Sequence, residues 1–226
     1  MPVVRVENIT RRFGRRAALG GVSFALEPRE CLAIFGPNGA GKTTLLKIVA
    51  GLLVPSSGSV SPSGLTARAA VGLISHQTML YPELTALENV EFAARLYGVP
   101  DPRPASLASL DALGVRDRAD TFVRQLSRGL QQRVSIARSF VHQPSILLLD
   151  EPFTGLDVQG ASVLADTLMR LKESGAALIL VTHNIDEGLA LATWAAVLNE
   201  GRFVSYDRRD GIDPVAYATR YRALIS

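Results

Sequence analysis

The sequence predicts an α/β fold: a mostly parallel sheet covered by helices, an N-terminal antiparallel β region and a helical segment inserted in the middle. Three observations carry this. Apolar runs of strand length at Cys31–Phe35, Ile146–Leu149 and Leu178–Thr182 alternate with helical patterns, as buried parallel strands do. Two apolar-rich stretches, Val3–Ile9 and Val22–Leu26, open the chain on either side of a basic turn, Arg11–Arg16. From about Thr85 to Val141 the pattern becomes helical, with Leu87, Val90, Ala94 and Tyr97 on one face.

The remaining elements follow in order. A helix is expected from Lys42 to Leu52, ending near Gly51 and Pro55, then a strand over Ala70–Ser75. Pro100, Pro102 and Pro104 mark a surface loop, and the helical pattern resumes at Asp111–Gly114 and Gly129–Val141. A helix from Val158 to Glu173 separates the last two buried strands, and Asn199 and Gly201 suit a turn between two late strands. The expected organisation is one domain, 1–226, with a core formed by 1–84 and 144–226 and a helical subdomain at 85–143.

Composition excludes several classes. The net charge of +3 over 226 residues is too small to argue for a nucleic-acid partner. A single cysteine, Cys31, sits in an apolar run and reads as a small buried strand residue in a reducing compartment. The N-terminus carries Arg5 and no long apolar stretch, so no signal peptide is expected. No window approaches the roughly 20 apolar residues that span a bilayer. If the protein serves a membrane process, another chain supplies the membrane path.

Gly36-Pro37-Asn38-Gly39-Ala40-Gly41-Lys42-Thr43, followed by Thr44, matches G-x-x-x-x-G-K-[ST] between a predicted strand and a predicted helix. Glycines let the backbone curl so that its N–H groups face phosphate oxygens, and the helix N-terminus favours the anion. Lys42 would contact the β- and γ-phosphates of ATP, and Thr43 would place its hydroxyl on Mg2+. These features would suit a P-loop NTPase core. The buried strand at Ile146–Leu149 runs into Asp150 and Glu151. Charge at the end of a buried strand needs compensation. Asp150 would hold Mg2+ and Glu151 would act on the attacking water.

Leu126-Ser127-Arg128-Gly129-Leu130-Gln131-Gln132-Arg133 resembles the LSGGQ signature of the ABC ATPase family, and it lies between the phosphate loop and the acidic strand. Gln77 resembles that family's Q-loop glutamine, Gly155-Leu156-Asp157 its D-loop, His183 its switch histidine and Phe13 its adenine-stacking aromatic. The resemblance runs from about residue 3 to 206. It implies that Gln77 contributes to the metal site and to catalysis, and that His183 contacts the γ-phosphate. It also implies that Ser127 and Gly129 reach the γ-phosphate held by a second copy, two copies enclosing two ATP molecules. The residues themselves place Ser127 near the N-cap of an amphipathic helix bearing Leu130, Val134, Ala137 and Val141. Arg128 and Leu130 depart from the family pattern, standing where it has a glycine and a glutamine.

The resemblance implies an ATPase subunit of a transporter, peripheral on the cytoplasmic face of the inner membrane. Its partners would be an integral membrane permease and a second ATP-binding subunit, with no nucleic acid. A DNA-maintenance ATPase would insert long coiled coils between Lys42 and Ser127, and the chain has no heptads there. A tandem-cassette translation factor needs two phosphate loops, and a nucleotide sensor would lack Glu151 or His183. The compact length leans towards export. Together with the LSRGLQQR variant it is similar to the ATP-binding subunits of haem exporters in cytochrome c maturation. Motors of multidrug, polysaccharide or lipid exporters are the alternative.

Overall fold

Apolar alternation at Val4, Val6 and Ile9, answered by Val22, Phe24 and Leu26, buries one face of an antiparallel pair. In the computed structural model, which describes residues 2–62, 70–75 and 78–225, these strands are β1 (Val4–Phe13) and β2 (Arg16–Leu26). Their register runs from Val4↔Leu26 to Phe13↔Arg16, leaving only Gly14 and Arg15 in the turn. The expected six-residue basic turn is therefore corrected. Gly14 adopts φ +58°, which permits a two-residue hairpin, so the arginines on either side remain in strand. A further strand, β4 (Ser57–Ser61), pairs antiparallel with β1 and completes a three-stranded sheet in the order β2-β1-β4. Its Ser-Gly-Ser-Val-Ser sequence carries no apolar alternation, so the sequence reading did not find it.

The chain divides into two compact units: residues 1–71, 145–151 and 172–226, and residues 72–144 and 152–171. In the first, β3 (Cys31–Phe35), β6 (Ile146–Asp150), β7 (Ala177–Val181) and β8 (Trp194–Asn199) form a parallel sheet in the order β6-β7-β3-β8. The hairpin through Gly201 adds β9 (Arg202–Arg208) antiparallel to β8. Every residue of β3, β6 and β7 is buried, which is why these strands read as unbroken apolar runs. Cys31 is fully buried and its thiol is pushed up to about 12 by desolvation, against the pull of Lys172. It is a packing residue, as the sequence implied.

Helix α1 (Lys42–Val49) follows β3 directly. Near the C-terminus of the described chain, α6 (Ile185–Leu191) and α7 (Pro214–Ile225) pack on the sheet. Tyr217 of α7 meets Phe35 edge-on at 5.6 Å, and Gly188 of α6 lies so close to Phe35 that a Cβ there would sit 2.5 Å from the ring. Neither helix was anticipated, because their apolar faces are short.

The chain enters the second unit within β5 (Val71–Ile74). There α2 (Ala86–Leu96) opens on a capping box, with the Thr85 hydroxyl accepting from Glu88 N–H and the Glu88 carboxylate accepting from Thr85 N–H. Asn89, on α2, bonds both the N–H and the carbonyl of Tyr81 and holds that segment to the helix. Helix α3 (Pro102–Ala112) corrects the proline reading. Pro102 is the first helical residue, where its missing N–H costs nothing, so the prolines start a helix. Helix α4 (Arg128–Phe140) packs on α2 and α3 and buries Val134, Ile136 and Ala137, and α5 (Val158–Glu173) spans the predicted interval.

Candidate functional site

The phosphate loop joins β3 to α1, and its glycines are required by close approach as well as by conformation. Gly36 has φ +154°, and a Cβ there would lie 2.1 Å from the Leu198 carbonyl oxygen. Gly41, φ +107°, would place a Cβ 2.4 Å from the Ala18 carbonyl oxygen. The loop is thus wedged between β2 and β8, where no side chain fits. Ala40 is buried, its N–H bonding Pro37 and its carbonyl accepting from Gly201, while Asn38 and Gly39 face outward. Thr44 lies half-buried in the first turn of α1.

The Lys42 ammonium donates to the carbonyls of Gly36 (2.6 Å) and Pro37 (2.9 Å). Burial holds its pKa below the usual lysine range, and the carboxylates of Glu151 and Asp150 oppose that shift. The Thr43 hydroxyl donates to Asp150 Oδ2 at 2.9 Å. Two oxygen donors predicted to share a cation therefore converge from elements 107 residues apart in sequence.

Glu151 takes up φ +52°, a left-handed conformation that is costly for a residue with a Cβ. Its N–H donates to Val181 (2.9 Å), which holds the turn. Its Oε2 lies 2.9 Å from Nδ1 of His183, whose side chain is exposed. Asn184 caps α6 through Asp186 and Glu187 N–H, which fixes the chain just after His183. Glu187 sits in the field of the same pair. Desolvation raises its pKa, with His183 acting to lower it and Glu151 to raise it. The sequence reading did not single out Glu187, because an acid in a helical first turn is common.

Phe13 is at the end of β1 with 49% exposure, and the Arg11 guanidinium lies 4.7 Å from its ring centroid. Gln77 falls outside the described residues.

Ser127 and Gly129 belong to the second unit. Ser127 is the N-cap of α4, its hydroxyl accepting from Leu130 N–H at 3.4 Å. The space for a Gly129 Cβ ends 3.4 Å from the Gly155 carbonyl oxygen. Two further bonds tie α4 to the 152–160 segment: Gln132 to the Pro152 carbonyl (3.4 Å) and Arg133 to Asp157 (3.0 Å). The Asp157 carboxylate also accepts from Gly160 N–H at 2.7 Å, which, ahead of Arg133, keeps its pKa below the usual carboxylate range. The spacing predicted a helix here but not these ties, since the partners lie 20 and 24 residues apart.

The donor set fits a hard divalent cation, which prefers oxygen. No group of three or more acidic, histidine or cysteine side chains is placed to hold a metal ion among the described residues. Beside Thr43 and Asp150, phosphate, water and the expected Gln77 would supply a cation's other ligands.

Residues 19–154 match the family model described as ABC transporter. The chain is 33% identical over 213 residues to the Nod factor export ATP-binding protein I of Ralstonia nicotianae, covering 90% of this chain and 66% of that protein. It is 29% identical to the linearmycin resistance ATP-binding protein LnrL of Bacillus subtilis (90% and 68%), and 34% identical to the Nod factor export protein of Burkholderia lata (91% and 71%). It therefore spans about two thirds of the length of these relatives. Among solved structures, the ATP-binding subunit of an ABC transporter superposes with a TM-score of 0.85 at 27% identity, covering 97% of this chain and 94% of that one. An ATP-binding cassette solved as a dimer in a post-hydrolysis state with ADP and Pi superposes at 0.84 and 29% identity, over 92% and 100%. With a phosphate loop, an acidic strand end and a strand-end histidine in one unit, and with these likenesses, the chain belongs to the ABC transporter family and carries its ATPase domain.

Proposed function

We propose that this chain is the ATP-hydrolysing motor of an ABC exporter, working as one of two copies beneath a separate membrane permease. The observation that carries the reading is the Glu151–His183 contact at 2.9 Å, in the same unit as Lys42 and the Thr43–Asp150 pair. In it, a base and its orienting partner stand beside a phosphate cradle. No helix among the described residues is long and apolar enough to cross a membrane, which fits a permease on another chain and a peripheral place on the cytoplasmic face of the inner membrane.

Phosphoryl transfer to water asks for positioning and charge stabilisation more than for covalent chemistry. The loop N–H groups and Lys42 hold the phosphates. Thr43, Asp150 and Gln77 would hold Mg2+, which would supply positive charge against the charge that develops on the phosphates. Glu151 takes the proton of the attacking water, and His183 orients Glu151 and the γ-phosphate. Ser127 and Gly129 of the second copy complete the site. ATP then acts as the ligand that favours the closed pair, and loss of the γ-phosphate releases it. The segment 81–99 meets the permease.

For cargo we propose haem destined for c-type cytochromes, on the likeness of the LSRGLQQR signature. The names of the Nod factor and linearmycin relatives favour a second reading, a different exported molecule. Glu151→Gln tests the motor: ATP turnover is expected to fall by about two orders of magnitude or more while an ATP-bound dimer accumulates. Near-normal turnover would remove Glu151 from its role. In cells with only this variant, specific loss of covalent haem from c-type cytochromes supports haem export, and unchanged cytochromes move the cargo to the second reading.

A further inference from the structure

Four arginines surround the β1–β2 hairpin, and three of them are accounted for. Arg11 lies on the Phe13 ring and donates to the Val54 carbonyl, Arg12 donates to the Arg15 carbonyl, and Arg15 occupies the turn itself. Arg16 is different. It begins β2 directly across from Phe13 in the register. Arg16 stands two residues before Ala18, the residue whose carbonyl presses on Gly41 of the phosphate loop. The Arg16 guanidinium lies against the loop, with Nη2 only 3.3 Å from the place a Gly39 Cβ would occupy.

Arg16 is exposed, and its guanidinium has no ion-pair or hydrogen-bond partner among the described residues. Nothing among the described residues therefore explains why a cation stands against a loop whose N–H groups already favour an anion. The charge balance of the site supplies a reason. Lys42 is the loop's single cationic side chain, and a nucleoside triphosphate carries about four negative charges, so with one divalent cation a negative charge remains to be met. Arginine meets phosphate oxygens with a planar fork of N–H donors.

We propose that Arg16 is a further nucleotide-contacting residue. Its guanidinium reaches past Gly39 to the phosphates nearest the ribose, bridging the base end at Phe13 and the phosphate end at Lys42. The proposal rests on the reading of Gly36–Thr43 as the nucleotide cradle and adds a cis contact from the neighbouring sheet.

The test is equilibrium binding of ATP and ADP to the full chain at two ionic strengths, comparing wild type with Arg16→Ala, Arg16→Lys, Arg16→Gln, Arg15→Ala and Lys42→Ala. Arg16→Ala is expected to weaken both nucleotides about tenfold and to flatten the salt dependence of Kd, since one screened charge contact is lost. Arg16→Lys should recover part of the affinity, Arg16→Gln none, and Arg15→Ala should bind like wild type. Because Arg16 is exposed, the thermal midpoint should hardly move, which separates a contact from a folding defect. Recovery by Gln equal to that by Lys, or an equal loss in Arg15→Ala, would overturn the assignment. Wild-type Kd in Arg16→Ala with binding abolished in Lys42→Ala would sink Arg16 alone. Unchanged binding in Lys42→Ala would sink the underlying nucleotide reading.

Discussion

Glu151 and His183 meet at 2.9 Å although 32 residues separate them in sequence, and the meeting follows from the sheet. They leave the C-terminal ends of adjacent parallel strands, β6 and β7, whose register pairs Asp150 with Val181. The Glu151 N–H bond to Val181 extends that ladder by one step beyond the strand, and the left-handed φ of Glu151 aims the carboxylate at the histidine.

If His183 orients Glu151 and the γ-phosphate, its loss removes positioning and leaves the base in place. His183→Ala is expected to lower kcat for ATP hydrolysis by about 10- to 100-fold with a smaller change in ATP affinity, since general acid–base contributions are of order 10²–10⁴ and the base remains. The measurement is steady-state hydrolysis beside nucleotide binding. Equal losses in kcat and affinity would make His183 a binding residue.

Thr43→Val keeps the shape of the side chain and removes the hydroxyl that reaches Asp150 at 2.9 Å. Loss of one metal-positioning group typically costs 10- to 100-fold in metal affinity or activity. The variant should need about tenfold or more Mg2+ for half-maximal hydrolysis. A Mg2+ titration matching wild type would place the cation elsewhere.

Tyr217 is 4% exposed against Phe35, and its hydroxyl has no hydrogen-bond partner among the described residues. A buried polar group without a partner costs about 1–3 kcal/mol, whereas deleting a buried aromatic ring costs about 3–5 kcal/mol. Tyr217→Phe should therefore be at least as stable as wild type, and Tyr217→Ala should unfold at a clearly lower denaturant concentration. A large loss in Tyr217→Phe would mean that the hydroxyl is satisfied in solution.

The phosphate loop, the acidic strand end and the helix after Ser127 were legible because each couples a local period to a residue type that the period alone does not need, whereas the strand-end histidine was singled out by the family resemblance. The limits of β1 and β2 were not, since a two-residue turn with Gly14 lets arginines lie within strands that composition reads as a loop. The start of α3 was hidden for a similar reason: proline breaks a helix inside it and suits its first turn, and sequence spacing does not distinguish the two. Strand β4 was invisible because it holds its place through backbone pairing with β1, at a glycine whose Cβ would meet the Glu7 carbonyl at 2.4 Å.

The sequence by itself determined the class of fold and the chemistry of the cradle, since buried parallel strands must be apolar and a phosphate loop must be rich in glycine. Only the tertiary structure decided which distant groups share a site. Arg16 reaches Gly39 because a hairpin on another sheet passes beside the loop, and Glu151 reaches His183 because β6 and β7 are neighbours. Such contacts depend on strand order and register, which long-range packing sets and no local pattern records.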